Sequence, residues 1–102
     1  MSDELTWRGR DLTGESFAGV DLSGVQLEDC RIVGCSFRGA DLREARFADC
    51  VAFDPDTDAC ADFSFANLRD AVFLRCDLTA AEFQNVSGYD LCFEHCQLGG
   101  VN

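Results

Sequence analysis

Residues 39–50, GADLREARFADC, set Leu42 and Phe47 five positions apart, with Ala40 and Ala45 each two residues ahead of them. A helix repeats its apolar face every three to four residues and a strand every two. A spacing of five belongs to neither. Followed towards the start, the same period gives the centres Trp7, Leu12, Phe17, Leu22, Leu27, Ile32, Phe37, Leu42 and Phe47 without a break. From Val20 onward the residue two before each centre is small and apolar: Val20, Val25, Cys30, Cys35, Ala40 and Ala45. After Cys50 the frame reads as slipping by one residue. It resumes at Phe53, Phe63, Leu68, Phe73, Leu78, Phe83, Phe93 and Leu98, with degenerate units at Asp58 and Gly88. An internal repeat of this kind takes precedence over any local secondary-structure reading.

Length and composition bound the rest. At 102 residues the chain is one small domain whose core must be efficient. Its apolar fraction of 47% is that of a globular chain rather than a disordered one. No apolar run reaches the length of a bilayer span, and the opening MSDELTWRGR has neither the basic start nor the apolar core of an export signal. The expected location is therefore the cytoplasm, with no membrane association. Seven cysteines are then read as reduced thiols packed like small apolar side chains. Nineteen acids against eight arginines and no lysine give a net charge of −11. Such a chain is repelled by nucleic acid and attracted to proteins that bind it, although solubility alone also accounts for the charge.

The motifs ADLRE, ANLRD, VDLSG and CDLTA, at residues 40–44, 66–70, 20–24 and 76–80, resemble those of the pentapeptide-repeat proteins. The resemblance covers residues 5 to about 100. It implies an all-β, right-handed quadrilateral parallel β-helix in which four quintets close one square coil. Each side would bury one large centre and one small residue, turn a corner, and pair with the coil above at about 4.8 Å. Nineteen quintets, nine before the slip and ten after it, predict nearly five coils. The expected domain is residues 5–102, with 1–4 as a tail or cap ahead of Leu5 and Trp7. Four sides per coil stack Leu12, Ile32, Phe53, Phe73 and Phe93 on one side. The next side stacks Phe17, Phe37, Leu78 and Leu98, interrupted by Asp58. The third stacks Leu22, Leu42, Phe63 and Phe83, and the fourth Trp7, Leu27, Phe47 and Leu68, ending at Gly88. An Asp cannot sit unpaired in such a core, so residues 54–60, with Pro55 and the acids Asp54, Asp56 and Asp58, are expected to leave the coil as a small loop.

The order Cys50, acidic loop, Cys60, then ADFSFANLRDA, together with GYDLCFEHCQLGGVN at 88–102, looks like the amino-terminal half of the Qnr-type quinolone-resistance members of that family. That resemblance implies a non-enzymatic mimic of duplex DNA. Its partner would be a type II topoisomerase, DNA gyrase or topoisomerase IV, with no direct contact to nucleic acid. Qnr-type proteins are longer, with a second projecting loop and a terminal helix that pairs two chains. Here the far end, with Leu98, Gly99, Gly100 and Val101, leads to the expectation of an end-to-end homodimer through the last coil. A general protein-interaction scaffold with another partner, or none, is the alternative reading.

The acids fall into two expected columns. One, before the centres of the third side, runs Asp21, Asp41, Asp62 and Glu82; there Asp also serves the turn. The other, at the end of fourth-side quintets, runs Asp29, Asp49, Asp70 and Asp90, where stacked like charges cost stability and so point to function. Other chemistry is thin. The frame turns Cys96 inward and Cys92 and His95 outward, so CFEHC does not converge on a metal. No nucleophile elbow or phosphate loop is present, one His and no Lys leave few acid–base groups, and no catalytic residue or cofactor is expected. The sequon at Asn85 has no role in a cytoplasmic chain.

Overall fold

The computed structural model describes residues 6–101; the expected tail at 1–4, Leu5 and Asn102 lie outside the described residues. Five three-residue strands, β1 (Thr6–Arg8), β2 (Gln26–Glu28), β3 (Arg46–Ala48), β4 (Val72–Leu74) and β5 (Cys92–Glu94), form one parallel sheet in chain order. They are in register Trp7↔Leu27, Leu27↔Phe47, Phe47↔Phe73 and Phe73↔Phe93. The other three sides of the coil hold their neighbours by isolated parallel bridges such as Asp11↔Arg31, Ser16↔Ser36 and Asp21↔Asp41. The chain is therefore a squared β-solenoid of about four turns, with no helix among the described residues.

The quintet works as the period implies. On the three sides without regular strands the carbonyl of the large centre accepts a hydrogen bond from the N–H three residues on, as in Glu15 to Leu12 (3.0 Å) and Ala45 to Leu42 (3.1 Å). The residue between, two after the centre, takes a positive φ, the conformation a tight corner of this kind needs at its third position. Gly14 (φ 76) and Gly39 (φ 70) adopt it freely, while Glu44, Phe65 and Asp70 adopt it at φ 61 to 64. Ahead of the centre, Asp21, Asp41 and Asp62 accept the N–H two residues on, from Ser23 (3.1 Å), Arg43 (3.2 Å) and Ser64 (2.9 Å). These acids shape the turn in the way short polar side chains do.

Three strand intervals are 20 residues long, and the one from Arg46 to Val72 is 72 − 46 = 26. The period therefore does not slip by one residue at Cys50. It runs one quintet further, to a centre at Ala52, which is fully buried, while Phe53 beside it is only half-buried and is not a centre. Six extra residues then leave the coil at the corner. The Asp54 N–H donates to the Ala59 carbonyl (3.0 Å), the Asp58 N–H donates to the Asp54 carbonyl (2.7 Å), and Asp54 pairs antiparallel with Ala59. The loop expected at 54–60 is present, as six residues inserted between the centres Ala52 and Phe63 and closed by Asp54 and Ala59.

This insertion re-deals the downstream columns. The expected alignments of Phe53, Phe73 and Phe93 with Ile32, of Leu78 and Leu98 with Phe37, of Phe63 and Phe83 with Leu42, and of Leu68 with Phe47 do not occur. The backbone pairing instead stacks Leu12, Ile32, Ala52, Leu78 and Leu98 on what we call the Leu12 side. The Phe17 side stacks Phe17, Phe37, Phe63 and Phe83, and the Leu22 side stacks Leu22, Leu42, Leu68 and Gly88. The sheet side stacks Trp7, Leu27, Phe47, Phe73 and Phe93.

Two phenylalanine columns thus face one another across the tube. Along the Phe17 side the rings stack at 5.3, 4.9 and 5.1 Å, and along the sheet side Phe47, Phe73 and Phe93 stack at 4.6 and 5.2 Å. Across the axis Phe37–Phe47, Phe47–Phe63 and Phe63–Phe73 meet edge to face at 86 to 90°. Both arrangements suit the ring quadrupole better than face-to-face eclipse. Leu22, Phe37, Leu42, Phe47, Phe63, Leu68 and Phe73 are buried as expected, whereas Phe83, near the last coil, is half-buried. Where Gly88 supplies no bulk, Leu91 fills the space: a Cβ on Gly88 would lie 3.3 Å from its side chain.

The cysteines pack as thiols. Cys30, Cys50, Cys76 and Cys96 form a single column, each sulfur donating to a carbonyl of the preceding coil, Trp7, Leu27, Phe47 and Phe73 respectively, at 3.2 to 3.5 Å. Cys35 donates to the Leu12 carbonyl at 2.9 Å, and burial pushes its thiol up to about 11.

Candidate functional site

Because the coils are rigidly in register, any surface residue is placed by its position in the quintet and by the 26-residue interval between β3 and β4. The first expected acid column divides at the loop. Asp21 and Asp41 are paired on the Leu22 side and continue into Asn67 and Ser87. Asp62 and Glu82 are paired on the Phe17 side, below Ser16 and Ser36. The second column divides as well. Asp29 and Asp49 follow the sheet strands and continue into Arg75 and His95, as the donations from Asp29 N–H to Ala48 and from Asp49 N–H to Leu74 show. Asp70 and Asp90 stand at the corner before the sheet, aligned with Glu44 through the donations Glu44 to Arg69 and Asp70 to Tyr89. Six residues of loop instead of one residue of slip account for both divisions.

The structure thus brings together a set of acids that the sequence reading did not. Glu44, Asp70 and Asp90 rise along one edge of the sheet side, and Asp29 and Asp49 along the other. Glu44 was missed, yet it stands two residues after Leu42 as Asp70 does after Leu68. Only the 26-residue offset makes that equivalence visible.

Arginines decide how much of this charge is free. Arg75 grips Asp49 through two hydrogen bonds, Nε to Oδ1 at 2.8 Å and a terminal nitrogen to Oδ2 at 2.9 Å, which hold that carboxyl below its usual range. Arg43 grips Asp41 the same way at 2.9 and 2.8 Å, with the same effect. Arg38 meets Asp62 at 3.3 Å, Arg31 meets Asp54 at 3.0 Å, and Arg69 stands 3.8 Å from Asp70. All these pairs are partly or fully solvated, so each contributes little to stability. Among the described residues, Asp21, Asp29, Glu44, Glu82 and Asp90 lie within 4.0 Å of no arginine nitrogen. In the loop, Asp54 is held by Arg31 and accepts the Asp56 N–H (2.9 Å), whereas Asp56 and Asp58 are exposed.

The surface is grooved rather than pocketed. One depression, of about 420 Å³, is lined by Asn67, Arg69, Ser87 and Tyr89 on the Leu22 side. A second, of about 240 Å³, lies between Arg43, Glu44, Arg69 and Asp70. Both are lined by polar side chains, the first also by the exposed ring of Tyr89, an arrangement suited to contact with a macromolecule.

Comparison with known proteins agrees with the geometry. The family model described as Pentapeptide repeats matches in eight copies, over residues 8–39, 21–51 and 59–87. The chain is 33% identical over 91 residues to the quinolone resistance pentapeptide repeat protein QnrB96 of Scandinavium goeteborgense, covering 89% of this chain and 42% of that protein. It is 37% identical over 51 residues to the pentapeptide repeat protein QnrB4 of Escherichia coli, covering 50% and 24%. The solved structure of full-length QnrB1, a plasmid-mediated fluoroquinolone resistance protein, superposes with a TM-score of 0.86 at 30% identity, over 95% of this chain and 48% of that one. Rfr23 of the cyanobacterium Cyanothece 51142 shares the fold, with a TM-score of 0.81 at 18% identity over 94% and 62%. The chain spans less than half the length of these curated relatives. With the period, the square coil and the matched repeats in agreement, the chain belongs to the pentapeptide-repeat family and is homologous to its Qnr quinolone-resistance members.

Proposed function

We propose that this chain is a non-enzymatic, acidic binding protein. In this reading it imitates duplex DNA, occupies the DNA-binding surface of a type II topoisomerase, DNA gyrase or topoisomerase IV, and so modulates quinolone sensitivity. The observation that carries the reading is the placement of Glu44, Asp70 and Asp90 on one edge of the sheet side and Asp29 and Asp49 on the other, on a scaffold homologous to Qnr proteins. Two rails of carboxylates on a straight, stiff rod attract a surface built to bind two phosphate backbones. A partner of this kind implies a cytoplasmic protein. The test is gyrase supercoiling with added protein, with and without a fluoroquinolone. A change in supercoiling or in drug sensitivity is expected, and none across a wide titration would remove the proposal.

A second reading, an interaction scaffold with a different partner, is favoured by the arginines that neutralise Asp41, Asp49 and Asp62. Weak dependence of binding on salt would support it over the first. The half-buried Phe83, Phe93 and Leu98 near the last described coil motivate the further proposal that two chains pair end to end there. Sedimentation as a monomer at all concentrations would refute that pairing.

A further inference from the structure

The two most exposed aromatic side chains of the described residues border one side of the rod. Phe65 is 51% exposed and Tyr89 is 71% exposed. Phe65 stands at the corner where the Phe17 side meets the Leu22 side, and Tyr89 lies on the Leu22 side itself, one coil further on. The opposite corner of that side carries Glu44, Asp70 and Asp90, and between the corners lies the groove lined by Asn67, Arg69, Ser87 and Tyr89. Each ring is held against an arginine, Arg38 at 4.7 Å from the Phe65 centroid and Arg69 at 5.6 Å from that of Tyr89.

The fold does not require a ring at this corner. Its φ is +64, and the same corner on the preceding coils is Gly19 and Gly39. A bulky residue in that conformation is strained, and glycine holds the corner on two other coils. Exposed aromatics backed by arginine, beside acids, are the composition of an interface core with a charged rim.

We infer that the Leu22 side is the face that docks on the partner, with Phe65 and Tyr89 entering apolar recesses and Glu44, Asp70 and Asp90 meeting basic side chains around them. The inference rests on the topoisomerase reading and deepens it: its occupant is the DNA-binding surface of gyrase, met by the Leu22 side together with the corner of Glu44, Asp70 and Asp90 that it shares with the sheet side, and with Asp29 and Asp49 on the far edge of that sheet side. Shape and charge then divide the work: the acids steer the approach and the rings fix the register.

The test is binding of the whole chain to purified gyrase holoenzyme, with urea denaturation alongside. Phe65→Gly removes the ring and relieves the strained corner, so the denaturation midpoint should stay level or rise while affinity falls about tenfold or more. Phe65→Asn, the residue type that Asn85 already places at this corner, gives a second variant with the same expectation. Tyr89→Ala should weaken binding in the same range. Ala80→Gly relieves a corner of similar φ, 62, away from this face and should leave affinity unchanged. Full affinity in Phe65→Gly and Phe65→Asn, with the parent chain binding, would overturn the docking face and leave the topoisomerase reading standing. No binding by the parent chain would overturn both.

Discussion

Excising residues 54–59 and replacing Cys60 by Gly should leave a folded, nearly unchanged rod. Between Ala52 and Phe63 a normal quintet needs four residues; the chain has ten, and the excess of six is the segment closed by the Asp54 N–H to Ala59 carbonyl bond of 3.0 Å. After excision Phe53 follows the centre, position 60 falls at the positive-φ corner where glycine is favoured, and Ala61, Asp62 and Phe63 resume their present roles. The Arg31–Asp54 pair is lost, at up to about 1 kcal/mol for a partly exposed bridge. The shorter closure returns a few tenths of a kcal/mol, since loop entropy varies only logarithmically with length. Net stability should therefore change by about 1 kcal/mol or less, read as the urea midpoint in far-ultraviolet circular dichroism with an unchanged slope. Deleting Arg69 alone is the contrast. It lies after the loop, between the centres Leu68 and Phe73, where the quintet has no spare residue to absorb the change, so Phe73, Leu78 and Phe83 would all leave the axis, each at about 3 to 5 kcal/mol for a displaced Phe and somewhat less for Leu. If excision of the six residues unfolded the chain, or deletion of Arg69 were tolerated, the pairing of Phe47 with Phe73 across a looped-out segment would be wrong.

Phe63→Ala should cost about 3 to 5 kcal/mol and exceed Phe83→Ala, because Phe63 is fully buried and meets Phe37, Phe47, Phe73 and Phe83, whereas Phe83 is partly open; equal losses in denaturation would refute the aromatic columns. Asp41 and Asp49 are held below the usual carboxylate range, first by hydrogen bonds from Arg43 and Arg75, so their contribution is present above the unfolded value near pH 4 and is lost as pH falls through their folded values. The urea midpoint should therefore be level from neutrality to about pH 5 and fall below about pH 4; a flat profile down to pH 2 would contradict the arginine grips. Replacing Glu44, Asp70 and Asp90 by their amides should weaken gyrase binding and flatten its salt dependence more than the same change at Asp49, which Arg75 already neutralises; equal effects would remove the role given to that column.

Much of the molecule was legible in one dimension. The spacing from Trp7 to Phe47 fixed the coil, the centres and the inward thiols, because backbone pairing between coils forces every side to repeat. Reading failed at Ala52 and Phe53: a small residue at a centre beside a large one off it looks like a shifted frame, and a loop carries no period to count. The expected face assignments and both acid columns inherited that error, while the inward or outward direction of the centres from Phe63 onward survived it.

Amino-acid order thus determined that a square tube forms, which side chains fill it and that its surface is acidic, since these depend on spacing within a quintet and on composition alone. Only the three-dimensional winding decided which acids are neighbours. Stacking links residues 20 or 26 apart, so Glu44 joins Asp70 and Asp90, and Arg75 reaches back to Asp49, through contacts between successive coils that no local pattern encodes.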